Sequence, residues 1–294
     1  MNKIGLVVEG GGMKCAYSAG VLDAFLDEHI SFDYCIGVSA GSGNIASFLA
    51  GQRDRNRRFF TDHMGEADYF GLRSLIRSGN IFGLQYIYGT LTNSNGTDPL
   101  DFPALVNNPS EYKLVATNAK TGKPAYFDKN DLKQDDYRPI MASCAIPMVC
   151  RPVEINGEYY YDGGVSDAIP AQKALDDGCD RIVAILSKPR DYLKPPQKYR
   201  MIYSRACHKY PKTVEALDNR HIMYRACQEK IFELEKEGKA FLFIPSSPPQ
   251  MGTYTMKKEI EQQLYDLGIR DFKKMYYDFM KFMGRKHTEN ERMI

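Results

Sequence analysis

Two short apolar segments, each stopped by a glycine-bounded turn and followed at once by a helical pattern, fill the first 50 residues and constrain the fold most. Residues 4–8 are apolar apart from Gly5 and end at Glu9-Gly10-Gly11-Gly12. Apolar or small residues then recur at 13, 16, 17, 20, 21, 24 and 25, the spacing of an amphipathic helix. Residues 32–37 predict a second strand, a turn centred on Ser39 follows, and Ile45, Ala46, Phe48 and Leu49 mark a second helix. Such a βαβα unit sets its two strands side by side and parallel, with both C-terminal ends on one edge. Both turns meet there, where open α/β sheets bind ligands.

Later segments extend the pattern. Residues 52–100, with Arg53, Arg55, Arg57 and Arg58 and glycines at 65, 71, 79, 83 and 89, read as helices and loops covering the sheet edge. Strands are predicted at 112–117 and 125–127 around a turn at 118–123. A helix ending near Ala145 breaks at Pro147, and a hairpin of 153–155 and 159–161 turns at Asn156-Gly157. A helix at 170–177 and a strand at 181–186 follow, and Pro195-Pro196 marks a corner or linker. Beyond it the chain reads as mainly helical, with an apolar strand at 241–244. Phe272, Met275, Tyr276, Phe279, Met280 and Met283 share one helix face and read as packing surface. The expected class is α/β: a mostly parallel central sheet with helices on both faces. The expected division is a catalytic core at 1–188 and a C-terminal, mainly helical extension at 189–294 whose strand rejoins the sheet.

Composition excludes several classes. With 43% hydrophobic and 26% charged residues the chain lies far from the disordered regime. Lys plus Arg (39) almost balances Asp plus Glu (37), so no nucleic-acid partner is expected from charge. No apolar run approaches the ~20 residues of a spanning helix, and the N-terminus predicts no secretory signal. Seven cysteines without a C-x-x-C pair suggest neither a disulfide framework nor a zinc site. A reduced, cytoplasmic-type protein is the expectation, with peripheral membrane contact as an option.

Gly37-Val38-Ser39-Ala40-Gly41 matches G-x-S-x-G between an apolar strand and a helix. A nucleophile elbow demands this context, because the sharp turn holds the serine in strain and the small neighbours let strand and helix approach. Gly10, Gly11 and Gly12 supply candidate oxyanion donors at the end of the adjacent strand, beside the positive end of a helix dipole. A Walker A loop fails because Lys14 stands between Met13 and Cys15, and the dinucleotide fingerprint fails at Cys15. Gly41–Ala46 fits G-x-G-x-x-A but lacks the acidic residue ~20 positions on. His63, His208, His221 and His287 are the histidines an α/β-hydrolase order would allow as base, and none sits at an obvious strand end. Asp162 does, followed by Gly163 and Gly164.

Together these elements resemble the patatin-like phospholipase family, lipid acyl hydrolases with a Ser-Asp dyad, and among them the bacterial single-domain members. Residues 117–122 and 142–147 are similar to further family segments, so the resemblance spans about residues 4–186. It implies a patatin-like α/β fold, Ser39 as nucleophile, Asp162 as general base and Gly10, Gly11 and Gly12 as oxyanion hole. It also implies Gly37, Gly41, Gly163 and Gly164 as motif glycines, and no metal or organic cofactor. Lys14 matches the family's basic position, which implies electrostatic support for the oxyanion or a head group. Cys15 replaces the family's third glycine, so the oxyanion role does not extend to it. An Asp near its usual pKa of ~3.9 is a weak base, so its surroundings must raise it. Tyr159, Tyr160 and Tyr161 are the expected source.

Between Lys188 and Lys212 lie eight Lys or Arg residues against Asp191 alone, interleaved with Tyr192, Tyr199, Tyr203 and Tyr210. Such a segment suits contact with an anionic membrane. The expected function is a serine acyl hydrolase cleaving carboxylic ester bonds of lipids or phospholipids through an acyl-enzyme. A soluble carboxylesterase or thioesterase and a noncatalytic lipid-surface module are the alternatives. Oligomeric state is not legible.

Overall fold

Successive strand side chains point to opposite faces of a sheet, so a strand covered on both faces reads as an unbroken apolar run. β1 (Ile4–Val8) is such a strand: Leu6 and Val8 enter one buried cluster and Val7 the other. In this computed structural model, which describes residues 3–252 and 255–284, it lies mid-sheet between β2 (Tyr34–Val38) and a later strand. The remaining strands are β3 (Glu111–Asn118), β4 (Pro124–Asp128), β5 (Val153–Ile155), β6 (Glu158–Asp162), β7 (Arg181–Ile185) and β8 (Ala240–Phe243). Among the described residues they form an eight-stranded sheet in the order β5-β6-β3-β2-β1-β7-β8, with β4 also paired to β3. β3, β2, β1, β7 and β8 run parallel, while β4, β6 and β5 are antiparallel additions.

The register of β3 positions the site. One edge pairs with β4, Lys113 opposite Asp128 through Thr117 opposite Pro124. The other edge serves two strands in succession: β2 as far as Val38 opposite Val115, then β6 beginning with Asp162 opposite Ala116. β2 and β6 thus approach each other end to end on one edge, which brings the residue after Val38 next to Asp162. The β5–β6 hairpin turns at Asn156 and Gly157 with φ of 51° and 81°, the left-handed pair a two-residue hairpin turn requires. β2 starts two residues later than the sequence pattern predicts, because the Asp33 carboxylate accepts the Ile4 N–H at 2.9 Å and ends the loop there.

Helices Ala16–Asp27, Ala40–Leu49 and Lys258–Phe282 cover one face, and helices Ala171–Asp176 and Arg220–Lys236 the other. Phe272 and Phe279 of the expected apolar stripe are buried against Phe25 and Phe243. That long helix crosses helix Ala16–Asp27 at backbone contact. A Cβ on Gly20 would sit 2.0 Å from the Tyr265 carbonyl oxygen, and one on Gly268 2.3 Å from that of Tyr17. Tyr17 donates to Asp271 at 3.1 Å and Tyr265 to Asp23 at 2.8 Å across the same buried crossing. Gly268→Ala should force the helices apart and cost ~1–3 kcal/mol as overpacking does, seen as a Tm lower by ~2–12 °C at ~2–4 °C per kcal/mol. An unchanged calorimetric Tm would mean that the helices do not meet there.

Candidate active site

Ser39 stands where β2 must reverse into helix Ala40–Leu49, and it does so with φ 54° and ψ −133°. Positive φ is costly for a residue with a Cβ, of order ~1–3 kcal/mol, and persists only where the surroundings hold it. Here the Ser39 N–H donates to Ser143 Oγ at 2.9 Å, and its carbonyl accepts from the Ser42 N–H at 2.9 Å and Ser42 Oγ at 2.6 Å. Gly37 and Gly41 allow the tight turn, since a Cβ on either would lie 2.7 Å from backbone atoms of Ser42 or Val8. Gly10 is pressed against the elbow in the same way, its missing Cβ 2.8 Å from Ser39 Cβ.

Asp162 ends β6 with only 3% of its surface exposed. Its Oδ1 accepts the Gly164 N–H at 2.7 Å and its own N–H donates to the Ala145 carbonyl at 2.9 Å. Gly163 lets the chain pass within 2.3 Å of the Val115 carbonyl oxygen, measured from where a Cβ would be. Burial raises the pKa of Asp162 above the ordinary carboxylate value, while Arg220, the Ser39 hydroxyl, the Gly164 N–H and Lys194 pull it back. The three tyrosines expected to surround it do not. Tyr159 is 40% exposed, Tyr160 stacks edge-on against Phe127, and Tyr161 joins a separate cluster with Cys207 and Leu217. The desolvation comes instead from enclosure within the fold.

Gly10, Gly11 and Gly12 line the same basin as Ser39 and Asp162. Among the described residues their N–H groups have no protein acceptor, and Gly12 takes φ 59° to open the short 3-10 turn Gly12–Cys15. Cys15 has φ −73°, so its Cβ meets no conformational penalty; its thiol is buried beside the Glu9 carbonyl and its pKa is pushed up to about 12. Lys14 lines the basin half-buried, its pKa lowered by burial and by Lys188.

Ser39 faces two unlike cavities. One is a narrow apolar slot of about 50 Å³ with Met13, Phe60, Tyr69, Phe82, Ile87 and Ile146 in its wall. The other is the basin, about 240 Å³, with Lys14, Lys188, Lys194 and Arg220 around it. Among the described residues no histidine lines either cavity. His63 is bound to Asp98 and Glu66, His208 is exposed, and His287 lies outside the described residues.

Lys194 and Arg220 are site residues that sequence reasoning did not single out. Lys194 belongs to the basic segment expected to face a membrane, yet it turns into the basin, and Arg220 opens a helix far along the chain. Other charges of that segment are engaged by protein: Lys188 with Glu9, Arg190 with Glu235, Arg200 with Asp218 and Lys212 with Glu215. No local motif marks either residue, because only the return of the C-terminal helices over the strand ends brings them in. Among the described residues no helix is long and apolar enough to cross a membrane.

The model of the patatin-like phospholipase family matches residues 6–175. The chain belongs to that family. Membership places it among lipid acyl hydrolases at the level of the family, and a second model, of a domain of unknown function (DUF6363), matches residues 210–284. "Uncharacterized protein YjjU" of Escherichia coli is 28% identical over 250 residues, 84% of this chain and 70% of that protein. "Uncharacterized NTE family protein Rv1063c" of Mycobacterium tuberculosis is 33% identical over 82 residues, 28% of this chain and 22% of that protein. The solved structure of human GIVD cytosolic phospholipase A2 with methyl gamma-linolenyl fluorophosphonate shares the fold, with a TM-score of 0.55, 10% identity, and coverage of 96% of this chain and 58% of that one. The family match ends between Asp162 and three basic residues of the basin, Lys188, Lys194 and Arg220.

Proposed function

We propose that the protein is a serine acyl hydrolase that cleaves carboxylic esters of lipids, with Ser39 as nucleophile and Asp162 as general base. The observation that carries this reading is the strained Ser39 elbow beside a buried carboxylate, on the rim of an apolar slot. Ser39 Oγ bonds to the acyl carbon as its proton passes to Asp162, and the N–H groups of Gly10, Gly11 and Gly12 receive the oxyanion. The ester C–O bond then breaks, the alcohol leaves with the proton from Asp162, and an acyl-enzyme remains. Water repeats the sequence, giving its proton to Asp162 and releasing the acid and Ser39. The raised pKa of Asp162 makes it a stronger base than a free carboxylate. Lys14 adds positive charge near the oxyanion. Peripheral contact with lipid is part of the reading, supported by exposed Leu193, Tyr199, Met201 and Ile202 in the basic segment.

A fluorophosphonate probe tests this. One adduct per chain is expected, mapped by peptide mass to Ser39, together with release of fatty acid from phospholipid vesicles. Turnover confined to short soluble esters would make the protein a carboxylesterase or thioesterase. Vesicle binding with no labelling of Ser39 would leave a noncatalytic lipid-surface module.

A further inference from the structure

The basin beside Ser39 gathers four cations, Lys14, Lys188, Lys194 and Arg220, against two carboxylates, Glu9 and Asp162. Glu9 is saturated: it accepts from the Lys188 ammonium, from the Ser187 N–H at 2.7 Å and from the Tyr224 hydroxyl at 2.9 Å. Asp162 accepts the Gly164 N–H at 2.7 Å. Among the described residues no carboxylate forms an ion pair with Lys14, Lys194 or Arg220. Arg220 Nε donates to the Gly164 carbonyl at 2.7 Å, which fixes the guanidinium, and among the described residues its terminal nitrogens have no protein acceptor. The Lys194 ammonium is steered over the Tyr224 ring, 5.4 Å from its centroid, with Lys188 5.1 Å from the same centroid.

Four cations against two carboxylates leave the basin with an excess of positive charge, which is unfavourable by itself, and a fold retains such an excess where a ligand anion completes it. The two cavities decide which half of a substrate that anion belongs to. The apolar slot suits the acyl chain, so the alcohol half, which departs from the other side of the carbonyl, lies in the basin. We infer that the basin recognises a phosphate group on the alcohol half of the ester, with Lys194 and Arg220 as the residues that discriminate it. Both stand beyond the residues matched by the patatin-like model, and Arg220 lies within those matched by the second. Burial, then Arg220 and Lys188, lowers the pKa of Lys194 to about 7, a penalty that a bound phosphate would relieve. The inference rests on the acyl hydrolase reading for its orientation, but the phosphate site is testable without turnover.

Calorimetric titration of the full chain with glycerol 3-phosphate, with glycerol and inorganic phosphate as separate titrants, is the first arm. Glycerol 3-phosphate should bind and glycerol should not. Lys194→Gln should weaken binding about tenfold or more, the scale of one charge-assisted hydrogen bond, while Lys194→Arg should restore most of it. Lys194→Gln leaves the Arg220–Gly164 bond in place, so it reads the site even where Arg220→Gln unfolds the protein. Inorganic phosphate bound as tightly as the glycerol ester would assign the basin to free phosphate and overturn the inference. So would equal binding of glycerol and glycerol 3-phosphate. The second arm compares dihexanoyl phosphatidic acid with dihexanoylglycerol as monomers, without any lipid surface. Wild type should prefer the phosphate ester, and the ratio of kcat/KM should collapse in Lys194→Gln. Turnover of both esters without preference defeats this inference and leaves the hydrolase standing. Absence of turnover and of Ser39 labelling, with glycerol 3-phosphate still bound, defeats the hydrolase reading instead.

Discussion

Ser39→Ala is expected to lower ester turnover by at least ~10³, because the acyl-enzyme route is lost while oxyanion and binding contacts remain. The fold should tolerate the change. The Ser39 side chain caps no helix N–H, and the hydrogen bonds that hold the elbow run through its backbone to Ser143 and Ser42. Ala at φ 54° carries the same strain as Ser, so Tm should stay within a few degrees. A purified Ser39→Ala protein with an unchanged melting curve and near-normal release of fatty acid would remove Ser39 from the chemistry.

Asp162→Asn is expected to reduce turnover by ~10² or more, the contribution of a general base, while the chain stays folded. Asparagine retains an oxygen for the Gly164 N–H but cannot take the Ser39 proton. The charge it removes faces Arg220 and Lys194, but burial outweighs them and holds the pKa of Asp162 up, so the ionised carboxylate is a net cost to the fold and its loss should not lower stability. Single replacements of His29, His63, His208, His221 and His287 by Ala should leave activity per folded molecule within about tenfold, since none would receive the serine proton. The wild-type profile has a defined sign. The base works only when ionised, and burial raises its pKa, so activity should fall as pH drops through a value above the usual ~3.9 of an Asp. One histidine variant as inactive as Ser39→Ala, beside a mild Asp162→Asn, would replace the dyad with a triad.

Signals carried within a few residues were legible. Residues 4–8 predict β1 at its observed bounds, and Asn156-Gly157 predicts the turn of the β5–β6 hairpin, since positive φ at both positions favours those residue types. G-x-S-x-G marks the elbow because a turn that tight excludes Cβ atoms at Gly37 and Gly41. The apolar spacing of residues 272–283 declares a packing face, with no indication of which helix it meets. The tyrosines beside Asp162 misled, because adjacency in a strand puts neighbours on opposite faces and says little about what encloses the strand's last residue.

What the sequence determined by itself is the set of local geometries: a strand-turn-helix with Ser39 at its turn, a glycine turn with free N–H groups, and a strand that ends on Asp162. Tertiary structure alone decided how they combine. β3 is long enough to hold β2 and β6 in succession on one edge, so residues more than a hundred positions apart become neighbours. Lys194 and Arg220 enter the basin because the chain beyond β7 closes over the parallel strand ends, anchored by β8 on β7 and by the Gly20–Gly268 crossing. Local motifs record backbone geometry, which depends on a residue and its immediate neighbours. The charge that surrounds the site depends on which distant surfaces bury one another, and no short stretch of sequence encodes that.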